Sequence, residues 1–220
     1  MALKPDRMNA MKRNRTPIGW VIALPVALAL AACSGGEQKS PESSVVEGTV
    51  HVCSSCHGFN GRSISPTFPN LAGQQFEYIV EQLKAFRDHT RADPHAHTYM
   101  WGMAARLSDG TIDGVANYFS GQEPASATPG DPVLMAAGKK IFQEGIADPK
   151  RTVPACESCH GDKGQGAGTI PRLADQHPGY VEEQLHNFAD MARTNEIMHF
   201  NSENMTLEEM REVAAYVGSL

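Results

Sequence analysis

Two stretches of the chain carry apolar and aromatic side chains at near-helical spacing. Tyr78, Ile79, Leu83 and Phe86 recur three or four apart, or side by side, and so do Tyr180, Val181, Leu185 and Phe188. Each set predicts an amphipathic helix that lays one face on a core. Further along each half, Ser108 and Thr206 stand as helix N-caps, and Thr206-Leu207-Glu208-Glu209 has the capping-box pattern. The helices they open carry Ile112, Val115, Tyr118 and Phe119 in one half, and Met210, Val213, Tyr216 and Val217 in the other. Another helix is predicted from about Val133 to Glu144, where Gly138, Ile141 and Phe142 would let it approach the closing helix. Strand signals are weak throughout, so the predicted fold is all-α.

The two halves are copies. Phe68–Phe86 and Ile170–Phe188 align at a constant offset of 102, with Pro, Leu-Ala, Gln, Tyr, Glu-Gln-Leu and Phe recurring in register. A fixed internal period of this kind marks duplication of a structural unit. The stretch from Gly121 to Pro132 is rich in Gly, Pro and Ser and reads as a linker. The expected domains are therefore residues 46–121 and 133–220, joined by residues 122–132.

The first 32 residues have a different character. Lys4, Arg7, Lys12, Arg13 and Arg15 precede an apolar run from Ile18 to Ala32. A basic start, a short apolar run and a small-residue end are the marks of a secretory signal. The run falls short of the ~20 residues that a spanning helix needs. It ends Leu30-Ala31-Ala32-Cys33, which resembles the bacterial lipoprotein signal, with Cys33 as the lipidated residue. Residues 33–45 then read as a flexible tether to a membrane surface. Without residues 1–32 the basic count falls from 19 to 14 and the acidic count from 25 to 24, leaving about −10. Such a surface disfavours nucleic acid and suits another protein that presents a basic docking patch.

Four of the five cysteines form two pentapeptides, Cys53-Ser54-Ser55-Cys56-His57 and Cys156-Glu157-Ser158-Cys159-His160. C-x-x-C-H is the haem-attachment signature: two thiols add to the vinyl groups of one haem and the adjacent His lies under the iron. A shared zinc site would bring the pairs close together in sequence, a thioredoxin-like pair would sit in strand–helix alternation, and disulfides would leave both histidines unexplained. Two covalent haem c groups are therefore expected.

The repeat also points to the second axial ligand of each iron. Met100 lies eight residues before Ser108, and Met198 eight before Thr206. Met103 is matched only by Asn201. His89, His95, His97 and His199 have no counterpart across the copies, and His177 and His186 stand where the first copy has Gln75 and Lys84. A ligating His usually donates its other ring N–H to an acceptor, and the carbonyls of Pro69 and Pro171 are the candidates.

Together these features resemble the dihaem cytochrome c4 family: tandem class I cytochrome c domains, each with C-x-x-C-H, then P-x-L-A-x-Q, a helix with Tyr and Gln-Leu, and a Met before a closing helix with Ala-Tyr. The resemblance covers roughly residues 46–220. It implies two all-α domains related by approximate two-fold symmetry, with axial pairs His57/Met100 and His160/Met198. It also implies single-electron shuttling in the periplasm between a respiratory donor and a terminal oxidase or reductase, with no catalytic residues. The chain departs from the family in its His-rich stretch before Met100, in Asp175 where LAGQ would place Gly, and in its lipid signal. The alternative readings are a dihaem enzyme of peroxidase or thiosulfate-oxidising type, or an electron-accepting subunit of a dehydrogenase complex.

Overall fold

The computed structural model describes residues 40–220. The signal segment and Cys33 lie outside the described residues. The first half contains α1 (Pro41–His57), a short turn at Phe59–Gly61, α2 (Phe76–Arg87), a π turn over Ala96–Met100 that runs into α3 (Trp101–Ala104), and α4 (Asp109–Ser120). The second half contains α5 (Pro132–Glu144), a small antiparallel hairpin of β1 (Ile146–Asp148) and β2 (Arg151–Val153), α6 (Glu157–His160), α7 (Pro178–Ala189), α8 (Glu196–Glu203) and α9 (Leu207–Val217).

Helix α1 begins at Pro41, inside the stretch 33–45 that the sequence predicts as tether. Ser40 caps it by accepting from the Ser43 N–H at 3.1 Å. Val46 and Val50 then join the first core, so the helix has apolar packing from its second turn onward. The capping expectations hold: Ser108 accepts from the Thr111 N–H, and Thr206 and Glu209 form a reciprocal capping box.

Each half has its own core. Val50 of α1, Ile79, Leu83 and Phe86 of α2, and Ile112, Val115 and Phe119 of α4 are buried together. In the second half Ile141 and Phe142 of α5 meet Val181 of α7 and Val213 and Val217 of α9. Helix α5 crosses α9 at Gly138, where a β-carbon would run into the backbone at Glu212 and Val213. The predicted close approach is therefore made backbone to backbone, a contact that no larger residue permits. The tyrosines behave differently from the expectation. The helical spacing puts Tyr78 and Tyr180 on the core face, but their hydroxyls lie at the junction between the halves, against Arg193 and Arg91.

That junction is built by two reciprocal clamps. The Gln74 side chain donates to the Arg172 carbonyl (2.9 Å) and accepts from the Arg172 N–H (2.7 Å). The Gln176 side chain donates to the Asn70 carbonyl (3.0 Å) and accepts from the Asn70 N–H (2.8 Å). Gln74 and Gln176 share the 102 offset, as do Asn70 and Arg172. Residue i contacts j' while i' contacts j, which is the signature of two-fold symmetry. Asp175, at the Gly position of the repeat, takes the same left-handed conformation as Gly73 (φ 63° and 68°). Asp tolerates this region better than most residues, and its carboxylate is held by Arg172.

Candidate haem sites

The two C-x-x-C-H motifs reach the same geometry by different routes. The first is the last turn of the seventeen-residue α1. The second follows the hairpin and forms the four-residue α6. In both, a glycine after the His (Gly58, φ 80°; Gly161, φ 83°) turns the chain out of the helix. The loop then folds back. Leu71 and Ala72 donate to the Gly61 carbonyl, and Leu173 and Ala174 to that of Gly164. This return carries the proline carbonyls to the imidazoles: His57 Nδ1 lies 2.9 Å from Pro69 O, and His160 Nδ1 lies 3.0 Å from Pro171 O.

A carbonyl oxygen only accepts, so Nδ1 carries the proton in both rings and the lone pair is left on Nε2. Both rings are buried, at 6% and 8% exposure. Burial pulls both imidazoles below their ordinary pKa of 6.5, with the proline carbonyls partly opposing it. The rings are thus neutral at pH 7, as metal ligation requires. None of the four thiols pairs with another in a disulfide. Cys53 and Cys156 are half-buried, and Cys56 and Cys159 are exposed. Burial pushes the Cys53 and Cys156 thiols up to about 11, so they are protonated at pH 7. Among the described residues no group of three or more His, Cys, Asp or Glu side chains could hold a bare metal ion. Two S–H groups one helical turn apart, followed by a neutral imidazole, fit a haem attached by two thioethers.

Met100 ends the π turn before α3 and packs, half-buried, against the first core. Met198 lies in α8, where its N–H donates to the Asn195 cap at 2.9 Å. In the first half the rings of His57 and Phe68 are 5.9 Å apart, and those of Phe68 and Tyr99 are 5.4 Å apart. This aromatic chain links the motif to the neighbour of Met100. The unmatched histidines have other tasks. His89 stacks on Trp101 at 4.0 Å, His95 pairs with Glu183 at 2.9 Å, and His199 donates to the Phe188 carbonyl, tying α8 to α7. His177 Nε2 reaches the Ser63 carbonyl across the junction at 3.0 Å.

Sequence reasoning did not anticipate the polar cluster between the halves. Arg91 donates to Gln82 and Gln184, both at 2.8 Å. Arg193 donates to Gln184 (2.7 Å), Gln82 (2.9 Å) and the Tyr78 hydroxyl (2.8 Å). Each guanidinium also lies over a phenylalanine, Arg91 on Phe86 and Arg193 on Phe188. Burial raises the Tyr78 phenol, and the charges of Arg193 and Arg91 together outweigh it, leaving the phenol below its ordinary pKa. The symmetry breaks at one position. Asp93, fully buried, pairs with Arg91 at 2.7 Å, whereas Asn195 stands at the offset position in the second half. The signal was present in the repeat, since Tyr and Gln recur at the 102 offset on the otherwise apolar faces of α2 and α7, and Arg recurs at the same offset in the stretches that follow them.

The cytochrome c family model matches residues 49–122 and 135–220, one match for each half. The chain is therefore a two-domain c-type cytochrome. It is 43% identical over 170 residues to cytochrome c-552 of Acidithiobacillus ferridurans, covering 76% of this chain and 73% of that protein. It is 30% identical over 222 residues to a thiosulfate dehydrogenase electron acceptor of Stutzerimonas stutzeri, covering 96% and 97%. Among solved structures it matches cytochrome c4 of Acidithiobacillus ferrooxidans with a TM-score of 0.72 and 42% identity, over 76% of this chain and 98% of that one. The chain belongs to the dihaem cytochrome c4 family. It holds two covalent haem c groups, at Cys53/Cys56 and Cys156/Cys159, and works as an electron carrier whose partners are redox proteins.

The hairpin before the second motif is fastened by Arg151, which grips Glu209 through both carboxylate oxygens (2.6 and 2.7 Å) and the Asn204 carbonyl (2.8 Å). The Arg151 hydrogen bonds, helped by the Thr206 cap, hold the Glu209 carboxyl at about 2 instead of 4.5. On acidification the unfolded chain takes up this proton first. The contribution is therefore complete above pH 4.5 and is lost as pH falls from 4.5 towards 2. Glu209→Gln is expected to lower stability by only about 1 kcal/mol at pH 7, because solvent screens this partly exposed pair. The gap from the parent should close below about pH 2. Denaturant unfolding of the two holoproteins across this range checks both.

Proposed function

We propose that the chain is a periplasmic, lipid-tethered one-electron carrier that passes electrons from a respiratory donor to a terminal oxidase or reductase. The observation that carries this reading is the matched pair of imidazole–proline bonds, His57 to Pro69 and His160 to Pro171. Two sites built alike suit two low-spin haems of the same kind, with neither specialised for an external substrate. In this reading His57 and Met100 ligate one iron and His160 and Met198 the other. The Pro69 and Pro171 carbonyls fix the ring orientation of the two histidines. When bound, the haem supplies a reversible one-electron iron couple, which methionine ligation shifts to high potential. The protein holds the ligands, buries the rings and keeps the two copies in fixed register.

Cys33 carries the lipid, and the acidic exported chain docks on basic patches of its redox partners. Among the described residues no helix is long and apolar enough to cross a membrane; in this reading attachment is through Cys33. A second reading is favoured by the full-length likeness to a thiosulfate dehydrogenase electron acceptor: the chain would accept electrons as the partner of a dehydrogenase. Co-purification of a dehydrogenase subunit from native membranes would decide for that reading; recovery with an oxidase or reductase would decide against it.

Met100→Ala and Met198→Ala should each convert one haem, and only one, to a form whose reduced iron binds carbon monoxide without denaturation. If optical spectra of both variants match the parent, the methionine assignment is wrong. Cys33→Ser should move the holoprotein from the membrane fraction to the soluble periplasmic fraction. Unchanged membrane retention on fractionation would remove the tether.

A further inference from the structure

The clamps and the imidazole bonds meet on the same peptide groups. Pro69 C=O and Asn70 N–H belong to one peptide group. Its oxygen accepts from His57 Nδ1 at 2.9 Å, and its N–H donates to Gln176 Oε1 at 2.8 Å. The second half repeats the arrangement. Pro171 C=O accepts from His160 Nδ1 at 3.0 Å, and the Arg172 N–H of the same peptide donates to Gln74 Oε1 at 2.7 Å. Each proximal imidazole is therefore one peptide plane away from a glutamine of the opposite domain.

A peptide group is a delocalised unit, with partial double-bond character between carbon and nitrogen. An acceptor on its N–H pushes electron density towards its oxygen. Hydrogen bonds in such chains strengthen one another, and more so where the dielectric is low. Here the surroundings are dry: Gln74, Gln176 and Asn70 are 7%, 6% and 8% exposed. The Asn70 peptide is also locked in place, because the Asn70 side chain accepts from the Ser63 N–H (2.8 Å) and donates to the Asp175 carbonyl (2.7 Å).

We propose that Gln176 and Gln74 are crossed positioning residues. Gln176 of the second domain strengthens the acceptor that His57 of the first domain meets, and Gln74 does the same for His160. A stronger acceptor on Nδ1–H gives the imidazole more anionic character at Nε2 and favours the oxidised iron. Each glutamine thus holds down the reduction potential of the haem in the other domain. The inference deepens the reading of His57 and His160 as iron ligands and rests on it.

The test uses the holoprotein with Gln176→Leu, Gln74→Leu and Gln176→Glu. Potentials come from optical redox titration, each haem being assigned through its paramagnetically shifted proton signals. The Nδ1 nitrogens of both histidines are followed by ¹⁵N magnetic resonance. Gln176→Leu should raise the potential of the first-domain haem and shift the His57 Nδ1 signal, leaving the second haem in place. Gln74→Leu should give the mirror result. Gln176→Glu gives up the donor to the Asn70 carbonyl but keeps an acceptor for the Asn70 N–H and adds charge, so it should lower the first-domain potential below that of the parent. This variant keeps the test open if leucine loosens the junction. The inference is overturned if the substituted domain's own haem is the one that moves, or if both potentials and both Nδ1 signals stay fixed. Failure of the underlying ligand reading looks different: the His57 and His160 ring nitrogens would then carry no paramagnetic shift in the oxidised protein.

Discussion

A buried imidazole whose other nitrogen is proposed to meet the iron has to place its ring N–H on an acceptor. Much of this fold follows from that requirement. The acceptor is a proline carbonyl, reached only because the chain leaves the motif helix at a left-handed glycine and folds back on itself. Proline has no N–H of its own and fixes its φ, so the turn presents its carbonyl with few alternatives open to it. The next peptide nitrogen is then free to bond outward, and the outward partner is the other domain. The requirement of one ring thus shapes a loop, and the loop shapes the junction.

The electrostatics of the junction follow a second rule. Two guanidiniums share space with one carboxylate, and the balance is made by glutamine oxygens, a tyrosine hydroxyl and two phenylalanine faces. Neutral acceptors and aromatic rings stabilise buried arginine without adding opposite charge. Asp93 pairs with Arg91 and also approaches the Ala96 N–H at the start of the Met100 turn. Asn195 caps the Met198 helix without offering a charge to Arg193. The copies are thus alike in shape and unlike in charge.

Much of this was legible in the sequence because it is local. The cysteines and histidines lie within five residues of one another, and their chemistry depends on that spacing. The helices α2, α4, α7 and α9 were readable from their apolar period and from the Ser108 and Thr206 caps. Tyr78 and Tyr180 were misplaced because spacing cannot say whether a side chain at the edge of an apolar face turns inward or towards a neighbour. The partners that Gln74, Gln176, Arg91 and Arg193 find across the junction lie about ninety to one hundred and fifteen residues away, and no local pattern contains those pairs. The start of α1 was hidden by its Ser and Glu residues, which read as tether until Val46 and Val50 find a core. The hairpin was hidden by brevity, three residues on each side.

The reciprocal glutamine clamps have the geometry of a closed homodimer interface. Such a contact could have formed first between two separate copies of a one-haem protein, and fusing them then needed only the short segment between Gly121 and Pro132. Fusion makes the partner always present, since a linked neighbour sits at very high effective concentration. It also releases each copy from having to be complementary to itself. A substitution in one half is no longer forced on the other, and the aspartate-for-asparagine difference beside the two arginines is a change that an unfused dimer could not make.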